Sequence, residues 1–171
     1  DTSMKQCFVV GVGRSGTTLV SAFIGAHPKV EPFAETAVLR RYIFSKAKRP
    51  KENASKDEKL ARNPELIENL RYHSDVTTAY LQVMSDPKKD VIYKLDKDPR
   101  LIEYIPQTAA LFPEAKFIHV LRDPRDVLAS KLKAKWSRNR SLFSYLVTSR
   151  VQLKSVRNAE NKLQGCIFVL R

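Results

Sequence analysis

The chain has 171 residues, with 31 Lys or Arg against 18 Asp or Glu and a formal net charge of +13. A hydrophobic share of 43% with five Gly and nine Pro excludes a low-complexity chain, and no apolar run has transmembrane length or reads as a signal peptide. The length is that of one domain with a real core, expected to span 1–171. From Val127 to Ala159 there are eight Lys or Arg and no acid, a one-sided field that draws anionic ligands.

The first apolar run, Gln6–Val10, predicts a strand. Gly11-Val12-Gly13-Arg14-Ser15-Gly16-Thr17-Thr18 follows, and a helix is expected from Gly16 to about Ala26, stopped by His27-Pro28. Strand, glycine-rich turn and helix are the context in which backbone N–H groups and a helix N-terminus cradle a phosphate. The usual phosphate loop carries lysine where this one has Thr17, and Arg14 is its only cation. Lys29–Phe33 reads as a short loop. Thr36 is expected to cap a helix over Ala37–Ala47. Residues 46–62 are charged and aperiodic, which predicts a surface insertion. Asn63-Pro64 opens a long helix carrying Leu66, Ile67, Leu70, Val76, Tyr80, Leu81 and Met84, ended by Asp86-Pro87.

Val91–Leu95 predicts a second strand. Asp98-Pro99 opens a helical segment that Pro106 interrupts. Lys116–Leu121 is a third strand, Asp123-Pro124 starts a helix to about Lys135, and Ser141–Leu163 is a further helix. Cys166–Leu170 is a fourth strand. Cys7 and Cys166, both in predicted strands, are expected to be small hydrophobes rather than a disulfide. Alternating strands and helices predict an α/β fold, a parallel β-sheet flanked by helices. Ligands bind such sheets beyond the carboxyl ends of the strands. The glycine loop, Asp96-Lys97-Asp98 and Arg122-Asp123 are all expected just past strand ends, converging on one crevice. A segment beyond Arg171 is expected to line the same crevice, so the domain is expected to be truncated after its fourth strand.

Arg122-Asp123-Pro124-Arg125-Asp126-Val127-Leu128-Ala129-Ser130 is the second signature. A guanidinium at a strand end and a hydroxyl two turns into the helix hold an anion between them. Read alone it is also an ordinary capped helix start. With the glycine loop it suits a nucleotide that carries phosphates at two places.

Gly13-Arg14-Ser15-Gly16-Thr17-Thr18-Leu19 with His27-Pro28 resembles the 5′-phosphosulfate loop of the sulfotransferases, and Arg122–Ser130 resembles their 3′-phosphate motif. Phe112-Pro113-Glu114-Ala115-Lys116-Phe117-Ile118 is similar to the carbohydrate and protein-tyrosine branches. The resemblance covers nearly the whole chain and implies a P-loop NTPase-like sulfotransferase fold. It also implies transfer of a sulfuryl group from 3′-phosphoadenosine 5′-phosphosulfate (PAPS) to a hydroxyl or amine, leaving adenosine 3′,5′-bisphosphate, with no metal. The implied donor-binding residues are Gly13, Arg14, Ser15, Gly16, Thr17, Thr18, Arg122 and Ser130. Arg14 is the first candidate to stabilise the developing charge. Lys97 is the second, with Lys94 its rival. Glu35 is the candidate base and Glu31 the weaker one. His27, His73 and His119 read as structural.

The expected acceptor is a carbohydrate or peptide, the net charge of +13 leaning towards an acidic one, and no nucleic-acid partner is expected. A membrane anchor outside this chain would imply the Golgi lumen; without one the cytoplasm is expected. Two other classes compete. A nucleotide or nucleoside kinase would need the loop lysine and magnesium ligands, and Thr17 argues against it. A non-catalytic polyanion-binding module would use the basic helices, with Trp136, Phe143 and Tyr145 interleaved, but has no use for two phosphate sockets.

Overall fold

The computed structural model describes residues 5–33, 35, 37, 39–40, 90–134 and 141–171. Five strands form one sheet: β1 (Lys5–Gly11), β2 (Val30–Phe33), β3 (Tyr93–Lys97), β4 (Lys116–Val120) and β5 (Ile167–Leu170). Their spatial order is β2-β3-β1-β4-β5, and every pairing is parallel. The helices are α1 (Thr17–Gly25), α2 (Ile105–Leu111), α3 (Pro124–Lys133) and α4 (Leu142–Lys162), with a 3-10 turn at Pro99–Glu103. None of the helices among the described residues is long and apolar enough to cross a membrane.

The central strand explains the layering. Along β1 the side chains alternate between two cores. Phe8 and Val10 join Leu101, Ile102, Ile105, Phe112, Phe117, Val156 and Ala159 on the face covered by the 3-10 turn, α2 and α4. Cys7 and Val9 join Val30, Leu95 and Val120, against Val20 and Ile24 of α1. Phe8 is fully buried and stacks on Phe117 with ring centroids 5.4 Å apart. A strand buried on both faces reads as a continuous apolar run, as β1 does. Cys7 and Cys166 are both free. Burial pushes the Cys7 thiol up to about 11, so it stays protonated and inert.

Several boundaries differ from those expected. Residues 30–33 form an edge strand, not a loop. Pro32 hides it in the sequence, yet an edge strand tolerates a residue without an N–H. The second predicted strand lies two residues later, at Tyr93–Lys97. Asp90, with φ 72°, turns the chain in, and charged Asp96 and Lys97 belong to the strand rather than to a loop after it. The last strand is therefore the fifth, not the fourth. Cys166 sits in the turn before it. Ala37 has φ 57°, which does not fit the first residue of a right-handed helix. Thr36, residues 41–47, the insertion at 46–62, the helix after Asn63 and Trp136 lie outside the described residues. Pro106 does not break a helix; it stands in the first turn of α2, where its missing N–H costs nothing. Of the three cap-and-proline signals, the two that fall among the described residues hold. Asp123 accepts from the Arg125 N–H at 2.8 Å, and Asp98 accepts from the Arg100 N–H at 3.1 Å.

His119 is buried on β4, its Nδ1 3.6 Å from Glu160 Oε1 on α4. Arg157 and Arg171 line the same cavity of about 160 Å³. Burial pushes the imidazole below its ordinary 6.5, more than Glu160 draws it up. The unfolded chain then takes up a proton first as pH falls through about 6.5, so stability declines from there downward. His119→Gln is expected to remove part of that decline, read as urea midpoints across the acid range.

Candidate functional site

The site lies along the carboxyl edge of the sheet. β1 and β4 are neighbours with Gly11 in register with Val120, so the segments that follow them start level. The chain order reverses here, with β3 on one side of β1 and β4 on the other. That is the switch point at which open α/β sheets bind ligands.

After β1 the backbone turns through Val12–Gly16. The Ser15 N–H donates to the Val12 carbonyl at 2.9 Å. Arg14 (φ 78°) and Gly16 (φ 100°) are both left-handed, the alternation that turns successive N–H groups into one anion-binding concavity. Gly16 does this freely, whereas Arg14 carries about 1–2 kcal/mol of strain. α1 then starts at Thr17 with no acidic residue in its first turn, leaving the positive end of its dipole open. A Cβ on Gly13 would meet nothing within 4 Å, so that side of the loop is open.

Gly11 is the opposite case. A Cβ there would lie 2.6 Å from Ser15 Oγ and 2.8 Å from the Val120 carbonyl oxygen. The carbonyl belongs to a strand and cannot give. Gly11→Ala is expected to cost about 1–3 kcal/mol and to spoil the loop, seen as a lowered Tm and weaker nucleotide binding.

After β4, Asp123 caps α3 and is held by Arg125, whose Nη2 lies 2.7 Å from Oδ2. That side-chain hydrogen bond, then the backbone one, hold the exposed carboxyl down to about 2. Arg125 is thereby turned back onto its own cap. Arg122 is half-exposed and only loosely paired, Nε 3.7 Å from Asp126. The two signatures meet where Arg14 Nε donates to Ser130 Oγ at 3.0 Å, across 116 residues of sequence. Ser15 is buried, and its hydroxyl has no hydrogen-bond partner among the described residues. Together the open N–H nest, the unneutralised helix end and the lightly engaged Arg122 suit two phosphate-like groups.

Lys97 ends β3, and its Nζ lies 3.2 Å from Glu35 Oε2, both side chains about four-fifths buried. The structure thus brings two of the candidate catalytic residues together. Lys94, the rival, is buried inside β3 and does not meet Glu35; desolvation lowers its pKa. Glu31 lies within β2, in register with Lys94. His27 accepts a turn hydrogen bond from the Lys29 N–H at 3.1 Å, and His73 is outside the described residues.

Sequence reasoning missed Arg40. Its Nε lies 3.1 Å from Asp98 Oδ2 and 3.3 Å from Oδ1, with only 13% and 3% of the two side chains exposed. Asp98 was legible as a helix cap, but nothing in sequence ties it to a residue 58 positions away. Among the described residues no group of three or more His, Cys, Asp or Glu is placed to hold a metal ion.

Known proteins with this pattern are informative. Protein-tyrosine sulfotransferase 1 of Rattus norvegicus is 31% identical over 133 residues, covering 78% of this chain and 35% of that protein. Its Homo sapiens counterpart is 30% identical over 132 residues, with 77% and 35% covered. The chain thus spans about a third of the length of these curated relatives. A sulfotransferase domain from the curacin biosynthetic pathway superposes with a TM-score of 0.71 at 17% identity, covering 99% of this chain and 67% of that one. A sulfotransferase from Alicyclobacillus acidocaldarius gives 0.63 at 15%, with 98% and 73% covered. These likenesses show the same fold. The profile described as "Sulfotransferase family" matches residues 6–165, from β1 to the turn before β5 and through both the glycine loop and the Arg122–Ser130 segment; with nearly its whole length matched, this chain belongs to the sulfotransferase family.

Proposed function

We propose that residues 1–171 form the donor-binding domain of an enzyme that transfers a sulfuryl group from PAPS to a hydroxyl. PAPS supplies an activated sulfuryl group on a phosphate leaving group. The observation that carries the reading is the Arg14–Ser130 hydrogen bond of 3.0 Å. It ties the loop after β1 to the helix after β4, so two anion sockets share one crevice.

In this reading the N–H groups of Gly13–Thr18 and the α1 N-terminus bind the 5′ end of the nucleotide, and Arg122 and Ser130 bind its 3′-phosphate. The acceptor oxygen forms its bond to sulfur as the bond from sulfur to the 5′-phosphate oxygen breaks. The electron pair leaves on that phosphate oxygen, where Arg14 and Lys97 offset the growing charge. Glu35 takes the acceptor's proton. Lys97 Nζ lies 3.2 Å from Glu35 Oε2, so the proposed cation and base stand side by side. A sulfuryl group carries less charge than a phosphoryl group, so fixed cations suffice and the transfer needs no metal.

The similarity to protein-tyrosine sulfotransferases favours a tyrosine-containing peptide as acceptor, and the net charge of +13 favours acidic ones. An acidic glycan is the second choice. The test is calorimetric titration with adenosine 3′,5′-bisphosphate, followed by transfer of labelled sulfate to tyrosyl peptides and glycans with and without EDTA. Binding, and transfer indifferent to EDTA, are expected. No binding at millimolar nucleotide, or turnover of ATP with magnesium instead, would overturn the reading.

A further inference from the structure

Two ion pairs join the same two pieces of chain in opposite polarity. Residues 35–40 follow the edge strand β2; Lys97 and Asp98 stand at the end of β3. Glu35, an acid on the first piece, meets Lys97 at 3.2 Å. Arg40, a base on the same piece, meets Asp98 at 3.1 Å. The left-handed turn at Ala37, φ 57°, lies between the two partners on the first piece. The Asp98 carboxylate is buried and also receives the Arg100 N–H. Burial pushes its pKa up, Arg40 opposes this, and the negative charge of Glu35 adds to the rise, so the two carboxylates feel each other. Lys97 is chemically suited to either acid.

We infer that Arg40 is a positioning residue for the transfer centre: by satisfying Asp98 it leaves Lys97 committed to Glu35. The inference rests on the functional reading above, in which Glu35 and Lys97 serve the reaction. Without the Arg40 charge, Asp98 would be a buried carboxylate that has lost its ion-pair partner and still feels the negative charge of Glu35, with Lys97 its neighbour in the chain. Such a group draws the nearest cation or raises the proton affinity of its neighbour. Both outcomes take Lys97 away from Glu35. Among the described residues the charged groups to reckon with are Lys97, Asp98 and Arg100 from β3 and the 3-10 turn, and Arg40 on the segment of Glu35 itself.

The test uses Arg40→Gln, Asp98→Asn and the double variant. Arg40→Gln is expected to lower kcat by about 10–100-fold, with acceptor KM and the Kd for adenosine 3′,5′-bisphosphate changed by less than about threefold. The double variant, with both charges gone, is expected to recover most of kcat. A merely structural pair would leave the double variant as impaired as Arg40→Gln, and that result overturns the inference. So does an Arg40→Gln enzyme of unchanged kcat. Carbon NMR titration of Glu35 is the readout that needs no turnover. Its pKa should rise in Arg40→Gln and return in the double variant. If wild type transfers no sulfate yet Glu35 titrates in this way, the functional reading fails and the positioning stands. If transfer proceeds and Glu35 is unmoved, the positioning fails alone.

Discussion

Glu35→Gln is expected to lower kcat by about 10²–10⁴-fold while nucleotide affinity stays within about threefold of wild type. The amide keeps the size of the side chain and can still touch Lys97, but it cannot take a proton. Glu35 follows β2, while the two segments proposed to bind the donor follow β1 and β4, so the substitution should leave donor binding alone. In wild type the rate should fall with acid as Glu35 takes its proton, and this limb should vanish in the variant. The measurement is a pH profile of kcat/KM with labelled donor, beside calorimetry with adenosine 3′,5′-bisphosphate. A variant with wild-type kcat would remove Glu35 from the reaction and pass the role of base to another residue, Glu31 being the next candidate.

Arg122→Ala is expected to weaken adenosine 3′,5′-bisphosphate by about 10–100-fold, the worth of a charge-assisted hydrogen bond of about 1.5–3 kcal/mol. Adenosine 5′-phosphate, which lacks the 3′ group, should lose much less. The contrast between the two ligands assigns the socket, because a general loss of positive charge would weaken both alike. Stability should barely change: Arg122 is half-exposed and its link to Asp126 is loose, and such surface pairs contribute about 0–1 kcal/mol. Equal loss for the two ligands would detach the second signature from the 3′-phosphate.

Much of the fold was legible locally. β1, β4 and the two cap-and-proline helix starts rest on apolar runs and on side chains that reach only two or three residues ahead. α4 appeared within a residue of its observed ends, since Ser141 caps it through the Ser144 N–H. The edge strand β2 was not legible. It is four residues long and holds a proline, and its partners in β3 lie 63 positions away. The charged β3 was displaced for a similar reason. Asp96, which local patterning reads as loop, is buried there.

The sequence by itself determined the elements whose cause is local: the glycine loop with threonine in place of lysine, the arginine in that loop, the capped Arg122–Ser130 helix start, and the parallel α/β class. Only the tertiary structure decided how these meet. Strand order set β4 beside β1 and so brought Ser130 to Arg14. β2 paired with β3 and so brought Glu35 to Lys97 rather than to Lys94. The same pairing buried Arg40 on Asp98, a contact no spacing announces. The physical reason is that a hydrogen-bonded cap or a helical period acts within a few residues, whereas an ion pair between two strand ends depends on which strands are neighbours, and that is fixed by burial of the whole sheet.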